Sequence, residues 1–257
     1  MRREDLLKKL QEGTEIDILV PSHNKTYTFK PLAVSHFAKL NKLIMEDSKE
    51  LNNEIGNVIT ELSKGEINIK NCNSIDKIAI LLALKNNGDY TKVVKTVHKC
   101  NKCNAENNID FDLNNINTKY SLDINDSYET ELNGLNFKLV LSYPTLLDQI
   151  EYDRIHAVNK AKESDKASYE LYSTLFESNL IYIREIYCNG EIIDDFTNIG
   201  MKDKLTFLNR LNNKLVNIDK IITFIIERSN PISIDFECHK CTAINSNITI
   251  KTDNFII

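Results

Sequence analysis

The hydrophobic positions of this 257-residue chain recur with two periods, and the first third of the chain shows both. Short apolar runs on either side of a proline-containing turn predict two strands, at residues 16–20 and 26–29. Steps of three and four residues then predict three helices, because this spacing places apolar side chains on one helix face. These helices cover residues 34–50, 51–62 and 74–87. Residues 1–13 are polar and predict a short helix or a tail.

The rest of the chain alternates strands with longer helices. Asn133-Gly134 and Asn189-Gly190 are typical of two-residue hairpin turns, and strand-like apolar patterns flank both. Residues 114–127 are polar and predict a loop. Helical spacing predicts three more helices, at residues 145–161, 167–180 and 202–227.

The helix predicted at residues 202–227 carries an apolar stripe that extends from Leu208 to Ile225. Such a stripe fits either a coiled coil with a partner or a core-facing surface within the subunit. We favour the core-facing surface, because the stripe spans only about three heptads.

The most specific chemical signal is a pair of C-x-x-C motifs, each lying between two predicted strands. The motifs hold four of the six cysteines, namely Cys100, Cys103, Cys238 and Cys241. We call residues 100–103 the first knuckle and residues 238–241 the second knuckle; their hairpins span residues 93–113 and 232–250. Two thiols at one tight turn can reach the same ion, and a second such turn completes a tetrahedral zinc site. The sequence therefore predicts a structural Zn²⁺ in a split, zinc-ribbon-like element that joins residues near 100 and 240.

Two other interpretations of the motifs stay open. A redox-active C-x-x-C is typical of a βαβ context with a low thiol pKa, whereas both motifs here are flanked by strands. Four free thiols are the other alternative, which the duplicated spacing disfavours.

Several residues near the motifs could modify the site. His98 and His239 could replace a cysteine ligand, but a position beside the site or in solvent is the favoured interpretation. Three lysines would offset the formal charge of -2 on a zinc tetrathiolate. They are Lys99, Lys102 and Lys240. We interpret the two cysteines outside the motifs, Cys72 and Cys188, as small buried hydrophobic residues.

Composition and the predicted elements together indicate the class of protein and its fold. Hydrophobic residues make up 42% of the chain and charged residues 27%, as in a folded globular protein. The predicted elements indicate an α+β protein with a mainly helical body and β-hairpins. We expect an N-terminal β-hairpin segment at residues 1–30 and a helical domain at residues 31–257 that contains the two knuckle hairpins.

Charge and missing motifs narrow the function. The net charge of -5 argues weakly against nucleic acid as the main partner, although the knuckle lysines keep a zinc-ribbon nucleic-acid-binding or transcription accessory factor as the alternative. Phosphate-binding glycine loops, the G-x-S-x-G motif and the H-E-x-x-H motif are all absent from the sequence, so we expect no enzyme. We see no apolar run long enough to span a membrane and no secretory signal. We therefore expect the protein to stay in a reducing cytoplasm.

The order of these elements resembles the baseplate hub and hub-assembly proteins of T-even-type contractile-tailed phages. Four parts of the chain carry the resemblance: LVPSHNKTYTFKPLAV at 19–34, IDKIAILLALKNNGD at 75–89 followed by VHKCNKCNAENNIDFDL at 97–113, LNGLNFKLVLSYPT at 132–145, and FIIERSNPISIDFECHKC at 224–241. The resemblance implies a non-catalytic late protein that serves the assembly or structure of the central hub. It also implies other baseplate and hub proteins as partners, in the host cytoplasm during assembly. Presence in the finished virion tail baseplate is not implied, because the family includes both hub constituents and assembly factors. It gives no oligomeric state.

One position departs from the pattern of many zinc knuckles, in which a glycine follows the second cysteine. Asn104 and Thr242 stand there instead. Asparagine tolerates the left-handed backbone that this turn requires, but a β-branched threonine tolerates it poorly. We therefore expect the second knuckle to fit the turn less well.

Overall fold

The protein has the predicted α+β fold, with helices and several small antiparallel sheets. The computed structural model describes residues 15–46, 48, 50–87, 93–112, 125–212, 214–229 and 233–249. The tail or helix predicted at residues 1–13 lies outside these ranges. The described residues form two compact units. Unit 1 draws on Met1–Asn68, Ile75–Ser121 and Asn230–Ile257, and unit 2 on Ile69–Ser74 and Leu122–Ser229. The predicted division at residue 30 stays a prediction.

Unit 1 begins with the predicted hairpin and helices. The elements are β1 (Ile16–Val20), β2 (Lys25–Phe29), α1 (Val34–Met45), α2 (Leu51–Leu62) and α3 (Ser74–Asn87). Helix α1 ends at Met45, short of the predicted residue 50. Helix α2 ends where predicted, and Gly65 follows with a φ of 86°, which glycine adopts without steric cost.

The core of unit 1 lies between this hairpin and the helices. Its fully buried side chains include Phe29, Leu40, Ile59, Ile80 and Leu84. Polar contacts fix the hairpin: Ser22 donates from its backbone N–H to the buried Asp76 carboxylate at 2.8 Å, and Lys30 N–H donates to Leu62 O at 2.9 Å. These bonds tie the hairpin to α2 and α3 at the edge of the core.

Two further hairpins of unit 1 carry the knuckles. Their strands are β3 (Val93–Lys99) with β4 (Glu106–Asp112), and β9 (Ser233–Glu237) with β10 (Ile244–Thr249). The last pair before the first knuckle is Lys99 with Glu106, and the last pair before the second is Glu237 with Ile244. Each pair consists of the residues one before the first cysteine and three after the second. The two knuckles therefore close hairpins of the same register.

Unit 2 contains a four-stranded antiparallel sheet whose strands follow chain order. They are β5 (Asn125–Leu132), β6 (Leu135–Ser142), β7 (Ile183–Cys188) and β8 (Glu191–Asp195). Both predicted Asn-Gly turns are confirmed, with positive φ angles at Asn133, Gly134, Asn189 and Gly190. Strand β5 begins at residue 125, inside the segment predicted as a loop; residues 113–124 lie outside the described part of the chain.

The helices of unit 2 lie between and after these strands. They are α4 (Leu146–Lys162), α5 (Lys166–Tyr172), α6 (Ser178–Leu180), α7 (Met201–Leu208) and α8 (Ile218–Ser229). Helix α4 starts as predicted, because the Thr145 hydroxyl accepts from Asp148 N–H and the Asp148 carboxylate accepts from Thr145 N–H. A π-helical turn at Ser173–Glu177 continues α5 into α6. No helix within the described ranges is long and apolar enough to cross a membrane.

The single helix predicted at residues 202–227 is wrong. The chain instead forms α7 and α8, separated by turns. Asparagine side chains explain the break, because they bond the local backbone in place of the helix. Asn212 Oδ1 accepts from Lys214 N–H at 2.8 Å, and Asn217 Oδ1 accepts from Lys220 N–H at 3.1 Å, which caps α8. The described residues of this segment therefore form no continuous coiled-coil surface.

Candidate metal centre

The two knuckles meet in unit 1, as the sequence predicts. All four cysteine sulfurs lie within 4.8 Å of one another. Cys100 Sγ is 3.6 Å from Cys241 Sγ, and Cys103 Sγ is 3.6 Å from Cys238 Sγ. The first cysteine of each knuckle is buried and the second is half-buried. Two of the four cysteines are thus shielded from solvent and two are partly exposed.

These distances fit a tetrahedral metal site. A zinc ion about 2.3 Å from each thiolate places the sulfurs about 3.8 Å apart, close to the observed separations. A disulfide would need an S–S distance of about 2.05 Å, and none of the six cysteines, all within the described ranges, forms one. The donor set of four thiolates suits zinc and leaves no position open for water, which is the arrangement of structural sites.

The backbone of the two knuckles is the same. In the first, Asn104 N–H donates to Cys100 O at 2.9 Å; in the second, Thr242 N–H donates to Cys238 O at 2.9 Å. Asn104 has a φ of 56° and Thr242 a φ of 55°. The second knuckle therefore adopts the required turn, although the left-handed conformation is sterically unfavourable for the β-branched Thr242.

Two asparagines that the motif analysis did not select form hydrogen bonds to the knuckles. Asn107 and Asn245 are each 3% exposed, and each is the fourth residue after the second cysteine of its knuckle. Asn245 Nδ2 lies 3.6 Å from Cys100 Sγ. The sequence could have pointed to these asparagines, because CNKCNAEN and CHKCTAIN share the pattern C-x-K-C-x-A-x-N.

The electrostatics of the cluster favour a cation. Burial raises the pKa of Cys100, but backbone N–H groups of the first knuckle and Asn245 Nδ2 outweigh burial and bring that pKa to about 6. Burial likewise raises the pKa of Cys238, and backbone N–H donors lower it overall. At Cys241 a backbone N–H lowers the pKa, whereas burial and the other three sulfurs raise it to about 12. One thiolate thus forms readily, and the last forms only against its neighbours' charge, which a divalent cation would neutralise.

The other residues near the motifs are not ligands in this geometry. The His239 ring nitrogen Nδ1 lies 2.9 Å from Asn107 Oδ1, and the His98 ring packs near Phe236 with centroids 6.5 Å apart. The three knuckle lysines are exposed, and Lys99 forms a 3.9 Å ion pair with Glu106.

The two cysteines outside the motifs belong to unit 2. Cys72 is fully buried, as predicted, whereas Cys188 is only half-buried in β7.

Comparison with known families identifies the protein class. A family model described as "T4 bacteriophage base plate protein" matches residues 13–254. The chain belongs to this family. The matched range contains both knuckles of this base plate protein and every described residue of units 1 and 2. No curated protein and no solved structure matches the chain.

Proposed function

We propose that this base plate protein is a non-catalytic component that acts in the assembly or structure of the central hub of the phage baseplate. The family match over residues 13–254 carries the baseplate role. The hub role rests on the order of the hairpins, helices and knuckles, which resembles hub and hub-assembly proteins. Its partners are other baseplate and hub proteins, in the host cytoplasm during assembly and in the tail of the virion.

A structural zinc ion on the four cysteines is part of this proposal. The sulfur separations and the all-thiolate donor set support it. Such an ion fixes the hairpin β3–β4 to the hairpin β9–β10, so its binding free energy contributes to the folding of unit 1.

Affinity capture during infection tests the hub role. A tagged chain is expressed from the phage genome, and finished tails and hub intermediates are purified separately and analysed by mass spectrometry. We expect the chain to co-purify with hub subunits in at least one fraction. Presence in the tail fraction indicates a lasting constituent, and presence in intermediates alone indicates an assembly factor. Absence from both fractions would remove the hub role.

The alternative of a nucleic-acid-binding zinc ribbon has one observation in its favour, the exposed Lys102 and Lys240 at the knuckle tips. Exposed acidic residues on the same hairpins oppose it. These are Glu106, Asp110, Asp235 and Glu237. Binding through phosphates weakens steeply with salt, so titration of a fluorescent oligonucleotide at about 50 mM and about 200 mM salt decides between the two functions. We expect no binding at either concentration.

A further inference from the structure

We propose that Asn107 and Asn245 are positioning residues, which dock the two knuckles on each other and thereby set the geometry of the four sulfurs. The inference rests on the proposed zinc site and extends it to residues that do not touch the ion. Both side chains are almost fully buried, and both lie at the same place in their hairpins.

The two asparagines exchange hydrogen bonds between the hairpins. Asn107, on β4, accepts at Oδ1 from the backbone N–H of His239 in the second knuckle, at 3.0 Å. Asn245, on β10, accepts at Oδ1 from the backbone N–H of Asn101 in the first knuckle, at 2.8 Å. Each donor is the residue directly after the first cysteine of its knuckle. The contacts are therefore reciprocal, and each fixes one knuckle against the hairpin of the other.

Each asparagine is also held within its own hairpin. Asn107 Nδ2 donates to Ala105 O at 2.8 Å, and Asn245 Nδ2 donates to Ala243 O at 3.1 Å. The role needs a donor and an acceptor in one short planar group, which only asparagine offers at this length. Aspartate lacks the donor and would add a negative charge beside the thiolates, and serine is too short to make both bonds.

The two positions differ in one respect that bears on the sulfurs. Asn245 Nδ2 also reaches Cys100 Sγ at 3.6 Å, where Lys102 N–H donates to the same sulfur at 3.4 Å. Asn107 has no such contact to sulfur among the described residues, and its oxygen instead meets the His239 ring at 2.9 Å. We therefore expect loss of Asn245 to change the metal–thiolate bonds more than loss of Asn107.

Metal affinity and the spectrum of the cobalt form test the inference. The variants are Asn107→Ala and Asn245→Ala in the full chain, with Asn108→Ala and Ser246→Ala as matched controls at exposed neighbouring positions. Zinc affinity is measured by competition with a chromophoric chelator. Loss of a hydrogen-bonding neighbour of metal ligands typically weakens binding by about 10- to 100-fold, and we expect this loss in both asparagine variants and neither control.

The Co²⁺-substituted proteins provide a readout that general destabilisation does not move. We expect the sulfur-to-cobalt charge-transfer bands to shift in Asn245→Ala and to stay close to wild type in Asn108→Ala. His239→Ala keeps the backbone donor, so we expect it to behave like a control. If an alanine variant does not fold by circular dichroism, the serine variant at that position is measured instead.

The outcomes separate the two proposals. A wild-type chain that binds neither zinc nor cobalt refutes the metal site itself. A wild-type chain that binds zinc, with asparagine variants within about twofold of it and unchanged cobalt spectra, overturns the positioning role while leaving the metal site intact.

Discussion

Removing one proposed zinc ligand from the second knuckle gives the largest stability change that we predict from the structure. The proposed ion would join cysteines on either side of the 134 residues from Asn104 to Glu237. In the chain-entropy treatment of cross-links, closing a loop of this length restricts the unfolded chain by about 5 kcal/mol at 25 °C. Cys241→Ser leaves three thiolates, including Cys238, and weakens metal binding, so we expect up to about this much free energy of unfolding to be lost from unit 1, with the full loss only where the ion is no longer bound.

Thermal unfolding followed by circular dichroism measures the loss. About 5 kcal/mol corresponds to a fall in Tm of about 10 to 20 °C for a unit of this size. Cys188→Ser is the matched control, because Cys188 is a half-buried cysteine outside the cluster, and we expect its Tm to stay within about 2 °C of wild type. A strong chelator should lower the wild-type Tm more than that of Cys241→Ser. Metal analysis should give one zinc per wild-type chain.

Two results would refute this reasoning. The first is a wild-type chain without bound metal whose Tm does not respond to chelator. The second is a Cys241→Ser variant that unfolds at the same temperature as Cys188→Ser, since the cross-link would then contribute nothing.

Three other substitutions test the structure. Thr242→Gly removes a left-handed threonine and should raise the free energy of unfolding by about 1 kcal/mol, measured by urea denaturation, whereas Asn104→Gly should change it less, and the reverse order would contradict the strain. Lys204 is 6% exposed, and burial lowers its pKa from 10.5 to about 8. The unfolded chain therefore binds more protons between these pH values, and stability should rise with pH across that window. Relative to Lys204→Met, urea denaturation should show a gain of about 1.4 kcal/mol per pH unit there, and a constant difference would count against the buried charge. Leu208→Ala removes a fully buried side chain of α7 and should lower the free energy of unfolding by about 2–5 kcal/mol in the same assay, more than Leu211→Ala at a half-buried position. Equal losses would contradict the break after α7 and favour one continuous helix.

Features that depend on a few neighbouring residues were readable from the sequence. The Asn-Gly turns require positive φ at two successive residues, a demand that few other pairs meet, and both turns are present. The clustering of the four cysteines followed from ligand number alone, because each C-x-x-C motif supplies only half of a tetrahedral shell.

Features that depend on competition between local and long-range interactions could not be predicted from the sequence. The apolar spacing from Leu208 to Ile225 continues across the break between α7 and α8, so periodicity could not reveal that Asn212 and Asn217 bond the backbone locally. The π-helical turn at Ser173–Glu177 left no pattern in the sequence. The roles of Asn107 and Asn245 depend on contacts across more than 130 residues, although their matching positions after the cysteines were visible.

The split of unit 1 along the chain has a consequence for synthesis. A ribosome adding about 5–20 residues per second makes the second knuckle roughly 7–27 s after the first. Throughout this interval the nascent chain contains only two of the four cluster cysteines, while nearly all of unit 2 is being made. A product truncated before residue 238 lacks half of the proposed ligand set, so we expect metal retention to distinguish products that include both knuckles from those interrupted earlier.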